Sequence, residues 1–238
     1  MNEWWMRALA VASCVSFGSA AAQNGQTTYV ISDLHFGVGV QPSKERRPPP
    51  DLPCTLNAKP APALSDSRWY NTEDFRWPVA LCGFLTEIGS APSGARLVIA
   101  GDFLELWKHP QHVCIQKQRP DCGCTVEEMS DVVDRVVMAH ANEFAMLDRF
   151  LANPKNSIVV VPGNHDAALM DDRIWGHIRA ALPSASTRLL RASAGNWISP
   201  DQRLVVEHGH QQRVPDVNAF PHWDDGRVTQ MCDGTERF

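Results

Sequence analysis

The sequence predicts an α/β fold built on a parallel sheet, and three observations carry that prediction. Short apolar runs at 28–32, 96–100 and 158–161 have the length and β-branched character of buried strands. Stretches with apolar residues at three- and four-residue steps separate them, giving the alternation expected of parallel α/β sheets. Each run, together with a fourth at 204–207, ends in a loop carrying Asp, Asn or His. In open α/β sheets, ligands bind just outside the carboxyl ends of the strands.

Residues 1–22 read as a secretory leader, because Arg7 precedes the apolar run 8–15 and the small residues Ser19, Ala20, Ala21 and Ala22. Ser13, Ser16, Gly18 and Ser19 keep this run short of the roughly 18 apolar residues a membrane span needs. Anchoring through a lipid on Cys14 remains an alternative, since Val11-Ala12-Ser13-Cys14 has the small-residue-then-Cys form. No other stretch is a candidate span. Export across the inner membrane to a periplasmic location is therefore expected. Residues 23–238 suit one domain. The formal net charge of -5 argues against a nucleic-acid binder that depends on a basic face, without excluding a nuclease.

Outside the leader lie Cys54, Cys82, Cys114, Cys122, Cys124 and Cys232, an even set that points to disulfides in an exported chain. At least one is expected among Cys114, Cys122 and Cys124, in a loop broken by Pro120 and Gly123. A zinc site on these three is the alternative, although they lack the paired C-x-x-C spacing of structural zinc modules.

After the first strand, residues 37–66 form a proline-dense insertion, either a loop shaping the entrance to a site or a surface excursion pinned by Cys54. A helix is expected from Thr72, with Thr72-Glu73-Asp74 as its cap and Phe75, Val79, Cys82, Leu85 and Ile88 as its apolar stripe. Gly89 and Ser90 end it. The second strand follows, then loop over 108–124. One long helix is expected over 126–152, with Val132, Val136, Ala139, Phe144, Leu147 and Leu151 facing inward. His140 on its body reads as a surface or packing residue. The third strand leads into a short helix at 171–181, and 184–198 carries weak strand signals broken by Gly195.

The four strand ends carry Asp33-Leu34-His35, Gly101-Asp102, Gly163-Asn164-His165-Asp166 and His208-Gly209-His210. Carboxylate, imidazole and amide oxygen form a ligand set for borderline transition metals such as Mn, Fe or Zn. Two such ions roughly 3.5 to 4 Å apart can share a carboxylate, hold a hydroxide between them and clamp phosphate oxygens during in-line displacement. Taken singly, Asp33 and Asp102 could cap following helices, and Asn164 could be a turn residue. Glu105 and Trp107 read as pocket lining, and His210 as a loop residue or a support to the site.

This ordered set resembles the calcineurin-like metallophosphoesterase superfamily, whose motifs are D-x-H, G-D, G-N-H-D/E, a following His and a final G-H-x-H. Residues 101–107 and 207–211 look like its bacterial branch. The resemblance implies an αββα sandwich of mixed sheets with helices outside, and two divalent transition-metal ions. It implies that Asp33 and His35 bind one ion, that Asp102 bridges both, and that Asn164 and His208 bind the second. His165 then resembles the family's acid or transition-state donor, with Asp166 orienting it, and the substrate is a small phosphate mono- or diester. The final G-H-x-H has no counterpart after His208, where Gln211, Gln212 and a lone His222 follow. The expectation is a fold incomplete at its C-terminus, with a divergent tail as the alternative. The same departure motivates a competing reading, a catalytically silent exported protein of this fold that binds a metal or another ligand.

Overall fold

The computed structural model describes residues 26–38, 75, 77–106, 124–185, 187–193 and 195–209. The leader, the insertion from residue 39 onward, the expected cap at 72–74, Trp107, His210, and Cys54, Cys114, Cys122 and Cys232 lie outside them.

Four strands, β1 (Thr27–Ile31), β2 (Ala95–Ala100), β3 (Ser157–Val161) and β4 (Leu189–Arg191), form a parallel sheet in the order β1-β2-β3-β4. The register pairs Ile31 with Ile99 and Ala100 with Val161, so the three site-bearing strands end nearly level. Alternation along each strand sends Leu97, Ile99, Ile158 and Val160 to one face and Val98, Ala100, Val159 and Val161 to the other. Both faces are buried, which is why the runs are apolar throughout rather than alternating.

The first face is covered by α1 (Pro78–Gly89), α2 (Val126–Ala139), α3 (Ala141–Ala152) and α4 (Asp172–Ala181). The second is covered by an antiparallel ribbon of β5 (Asn196–Ile198) and β6 (Val205–Glu207), whose cross-strand pair Trp197 and Val206 packs on it with Leu204. The chain is thus α/β with a parallel four-stranded sheet. Each fully buried Leu or Ile contributes about 1.5–3 kcal/mol. The helix layer, with Leu81, Leu85, Ile88, Leu147, Leu151, Ile174 and Ile178 all buried, therefore anchors the strand ends far more firmly than the ribbon does.

Two helix boundaries differ from the sequence expectation. The first helix begins at Pro78 instead of Thr72, with no side-chain cap from Trp77. Proline fits a first helical turn because its missing N–H would have no partner there. The expected single helix over 126–152 is two helices that meet at His140, whose φ of -108° and ψ of 29° leave the helical region. Its N–H closes α2 on the Val136 carbonyl at 2.9 Å, and its own carbonyl accepts from Phe144 N at 2.9 Å to start α3. The His140 ring is buried and stacks on Phe36, 4.7 Å between centroids and 13° between planes. α2 starts from a capping box between Thr125 and Glu128, and α4 from Asp171, which accepts from Arg173 N.

Cys82 and Cys124 are both disulfide-bonded, which removes the Cys124 sulfur from a zinc site. Among the described residues, no helix is long and apolar enough to cross a membrane.

Candidate metal centre

The loops leaving β1 and β2 run on beside each other past the end of the sheet. Asp33 N donates to Gly101 O (3.2 Å), His35 N to Asp102 O (2.8 Å) and Phe36 N to Phe103 O (3.0 Å), and Glu105 N donates back to Phe36 O (2.9 Å). This ladder requires left-handed backbone at Asp33 (φ 57°), His35 (φ 46°) and Asp102 (φ 50°). Outside glycine that region is uncommon and costs about 1–3 kcal/mol per residue, and it persists where surrounding structure enforces it. Among the described residues the only other non-glycine with positive φ is Gln202, in the β5–β6 turn. Backbone strain is therefore concentrated where the metal-ligating residue types converge.

Two glycines make the close approach possible. A Cβ on Gly163 would strike the Asp102 carboxylate and its backbone nitrogen, and one on Gly101 would strike the His208 ring. His208 thereby seats directly over the β2 end. Its Nδ1 donates to Ala100 O at 2.9 Å, while its Nε2 lies 3.1 Å from both Asn164 Oδ1 and Asp102 Oδ2. His35 Nε2 stands 3.6 Å from the same Asp102 Oδ2 and 3.8 Å from Asp33 Oδ1, beyond ordinary hydrogen-bond length.

Behind His35 lies Glu105, with no side-chain exposure. Its carboxylate accepts from His35 Nδ1 at 3.1 Å and from His165 Nδ1 at 3.0 and 2.8 Å. The two rings it holds stand edge to face, 4.8 Å apart. His165 N also donates to Asp102 Oδ1 at 3.0 Å.

Asp166 occupies a different place from the one the family resemblance implied. Its fully buried carboxylate does not orient the His165 ring; it accepts from Gly163 N (2.6 Å), Phe103 N (2.8 Å) and Leu104 N (3.1 Å), tying the β3 loop to the β2 loop. The residue that holds His165 is Glu105. Sequence reasoning took Glu105 for pocket lining, and its only signal was a position three residues after Asp102 in the same loop. The reason for the exchange is geometric: Asp166 follows His165 into the 3-10 turn Ala167–Met170 and points back under the loop.

Two sets of ligand atoms, each within 4.8 Å of one another, could hold a metal ion: His35, Asp102 and His165, and Asp33, Asp102 and His208. Asp102 belongs to both. Asn164 adds its amide oxygen on the His208 side. Asp33, expected to share one ion with His35, is grouped instead with Asp102 and His208, its Oδ1 lying 3.8 Å from His35 Nε2.

The charges fit a cation site. Asp33 and Glu105 push His35 up to about 10, burial opposing them. Burial pulls His208 down, but the Asp102 carboxylate and the Ala100 carbonyl outweigh it and raise the ring to about 9. Burial likewise acts to raise Glu105, yet its two imidazole partners bring it to about 2. Asp102 is held low against its own burial by His208 and the His165 N–H. Protons on His35 and His208 occupy positions that a metal ion would take over, since metal ligation displaces exactly such protons. Asp166 moves the other way, to about 6, because burial and the neighbouring Asp102 charge disfavour its ionised form.

None of the family models, curated proteins or solved structures compared with this chain matches it.

Proposed function

We propose that this chain is an exported, metal-dependent phosphoesterase of the calcineurin-like type, acting on small phosphate mono- or diesters. The observation that carries the reading is the position of Asp102, a buried carboxylate common to two sets of possible ligands at the mouths of three adjacent strands. A shared carboxylate between two clusters is what a two-ion phosphoryl-transfer centre requires. The ribbon packed on the second sheet face supports a sandwich framework. The disulfide bonding of Cys82 and Cys124 supports an oxidising, exported location.

In this reading His35 and Asp102 would hold one ion, and Asp102, Asp33, Asn164 and His208 the other. The ions are divalent transition metals such as Mn, Fe or Zn, and when bound they supply charge neutralisation for the phosphoryl oxygens. The chain's own residues do the rest. Glu105 fixes His165 through Nδ1, leaving the opposite ring nitrogen to give a proton to the departing ester oxygen. Asp166 keeps the Gly163–Asp166 turn closed on the β2 loop, so Asp102 and His165 hold their spacing.

The test is metal content and turnover of the purified full chain with aryl and alkyl phosphate mono- and diesters. Two ions per chain are expected, with Asp102→Ala abolishing both binding and hydrolysis. His165→Ala should retain both ions while slowing turnover about 100- to 10,000-fold, less for aryl esters, whose leaving oxygens need little protonation. Less than one ion per chain under metal-replete conditions sinks the reading. Two ions without hydrolysis of any ester favours the silent binding protein.

A further inference from the structure

Phe36 joins the strained ligand loop to the helix layer. Its main chain serves the centre: it directly follows His35, whose φ is 46°, its N–H donates to Phe103 O at 3.0 Å, and its carbonyl accepts from Glu105 N at 2.9 Å. Glu105 in turn holds the His35 and His165 rings. The Phe36 side chain is fully buried in the helix-side core, where Phe75, Phe103 and Phe144 surround it at 5.1, 5.3 and 5.9 Å between centroids. Those three rings meet it at 69°, 55° and 60°, whereas the His140 ring lies nearly flat on it, 13° from parallel at 4.7 Å. A ring stacked face to face blocks movement of the phenyl along its own normal, and a close-packed interior passes such a constraint on. An apolar residue would fill this place without the desolvation cost of a buried imidazole, whose Nδ1 has the Glu143 carboxylate 3.5 Å away. His140 also ends α2 and begins α3, so the junction of two helices sets where its ring lies.

Building on the metal-centre reading above, we propose that His140 is a positioning residue of that centre and acts through Phe36. The helix junction holds the imidazole against the Phe36 ring, and the ring fixes the Phe36 main chain. That main chain fixes the strained backbone of His35 on one side and Glu105 on the other. A displacement of Phe36 therefore moves the His35 and His165 rings together, although His140 belongs to neither loop.

Nuclear magnetic resonance of the metal-free full chain, with its histidine rings isotopically labelled, tests this without any ion or substrate. His140→Ala should shift the ring-nitrogen signals of both His35 and His165. Calorimetric titration with manganese chloride should then show binding weakened roughly 10-fold, the low end of what losing support behind a metal ligand costs. Leu151→Ala, a core truncation at the far end of α3, lowers stability without touching Phe36 and should leave both readouts in place. His140→Phe, which keeps a flat ring, should return both toward the wild type. In Phe36→Leu the site should already be displaced, and adding His140→Ala should change it no further, because the two residues act as one unit. The proposal is overturned if His140→Ala leaves the two histidine signals unmoved, if Leu151→Ala shifts them as much, if a folded His140→Phe fails to restore them, or if the effects of His140→Ala and Phe36→Leu add. The cycle with Phe36→Leu decides the matter even if His140→Phe does not fold. Shifted signals in a chain that binds no metal would leave the positioning role standing and sink the metal-centre reading. Unmoved signals in a chain that binds two ions would do the reverse.

Discussion

The two halves of the centre are held by different means. On the β2–β3 side, the buried Asp166 carboxylate collects three backbone amides, Asp102 accepts from His165 N, and Leu106 N donates to His165 O, so two loops form one hydrogen-bonded unit above a helix-covered sheet. His208 instead leaves a three-residue strand of a two-stranded ribbon, and it is located by its ring contacts with Ala100 O, Asn164 Oδ1 and Asp102 Oδ2 and by its seat on Gly101. One half is enforced by backbone polar groups that cannot be buried unpaired. The other is placed by a docked element with a small core of its own.

The sharpest way to break that comparison is to add one methyl group on each side. Gly163→Ala places a Cβ on the Asp102 carboxylate and backbone, neither of which is free to swing away. A loss of roughly 3 kcal/mol or more is expected, with metal binding abolished at both positions. Gly101→Ala, at φ 89°, carries a backbone cost of about 1–3 kcal/mol and displaces the His208 ring. It should spare the His35 position. Urea unfolding with parallel metal analysis measures both, and equal losses would show that the ribbon is held as rigidly as the strand loops.

A smaller effect separates the halves by pH. His35, raised to about 10, and His208, raised to about 9, both exceed the value of about 6.5 expected in the unfolded chain. Their contribution to folding is therefore complete below about pH 6.5 and is lost as pH rises through those folded values. The thermal midpoint of metal-free protein should fall between pH 7 and 10, and added metal, which replaces the two protons, should flatten the decline. His208→Ala should remove the lower-pH part of it. A midpoint flat across this range without metal would contradict the network described at Asp102.

The strand-end loops were legible in the sequence because each is a local pattern, an apolar run followed by polar residues. The break at His140 was not, since the apolar positions of 126–152 continue through it and only the tertiary stacking on Phe36 explains the ring's burial. The partner of His165 was misplaced for a related reason. Sequence adjacency favoured Asp166, but the 3-10 turn aims that side chain into the loop backbone, and Glu105 reaches the ring from the loop after β2. Which ligand faces which ion position was likewise hidden, because it depends on the left-handed backbone at Asp33, His35 and Asp102, which no side-chain pattern announces.

The smallest expected effect concerns the ribbon itself. Its inward pair, Trp197 and Val206, contacts the sheet, whereas Ile198 and Val205 pair on the outer face and are 51% and 59% exposed. An exposed cross-strand pair contributes about 0.2–1 kcal/mol. Removing the two outer carbons of a buried Val costs about 1.5 kcal/mol by area alone. Ile198→Thr should therefore lower stability by well under 1 kcal/mol and leave metal binding unchanged. Val206→Ala should cost more and weaken the His208 position, because the strand that carries His208 loses its grip on the sheet. Chemical denaturation and metal titration of the two variants make the comparison directly. If Ile198→Thr proves the more damaging, the outer face of the ribbon is covered in the folded chain, and His208 is held by more than the inward pair.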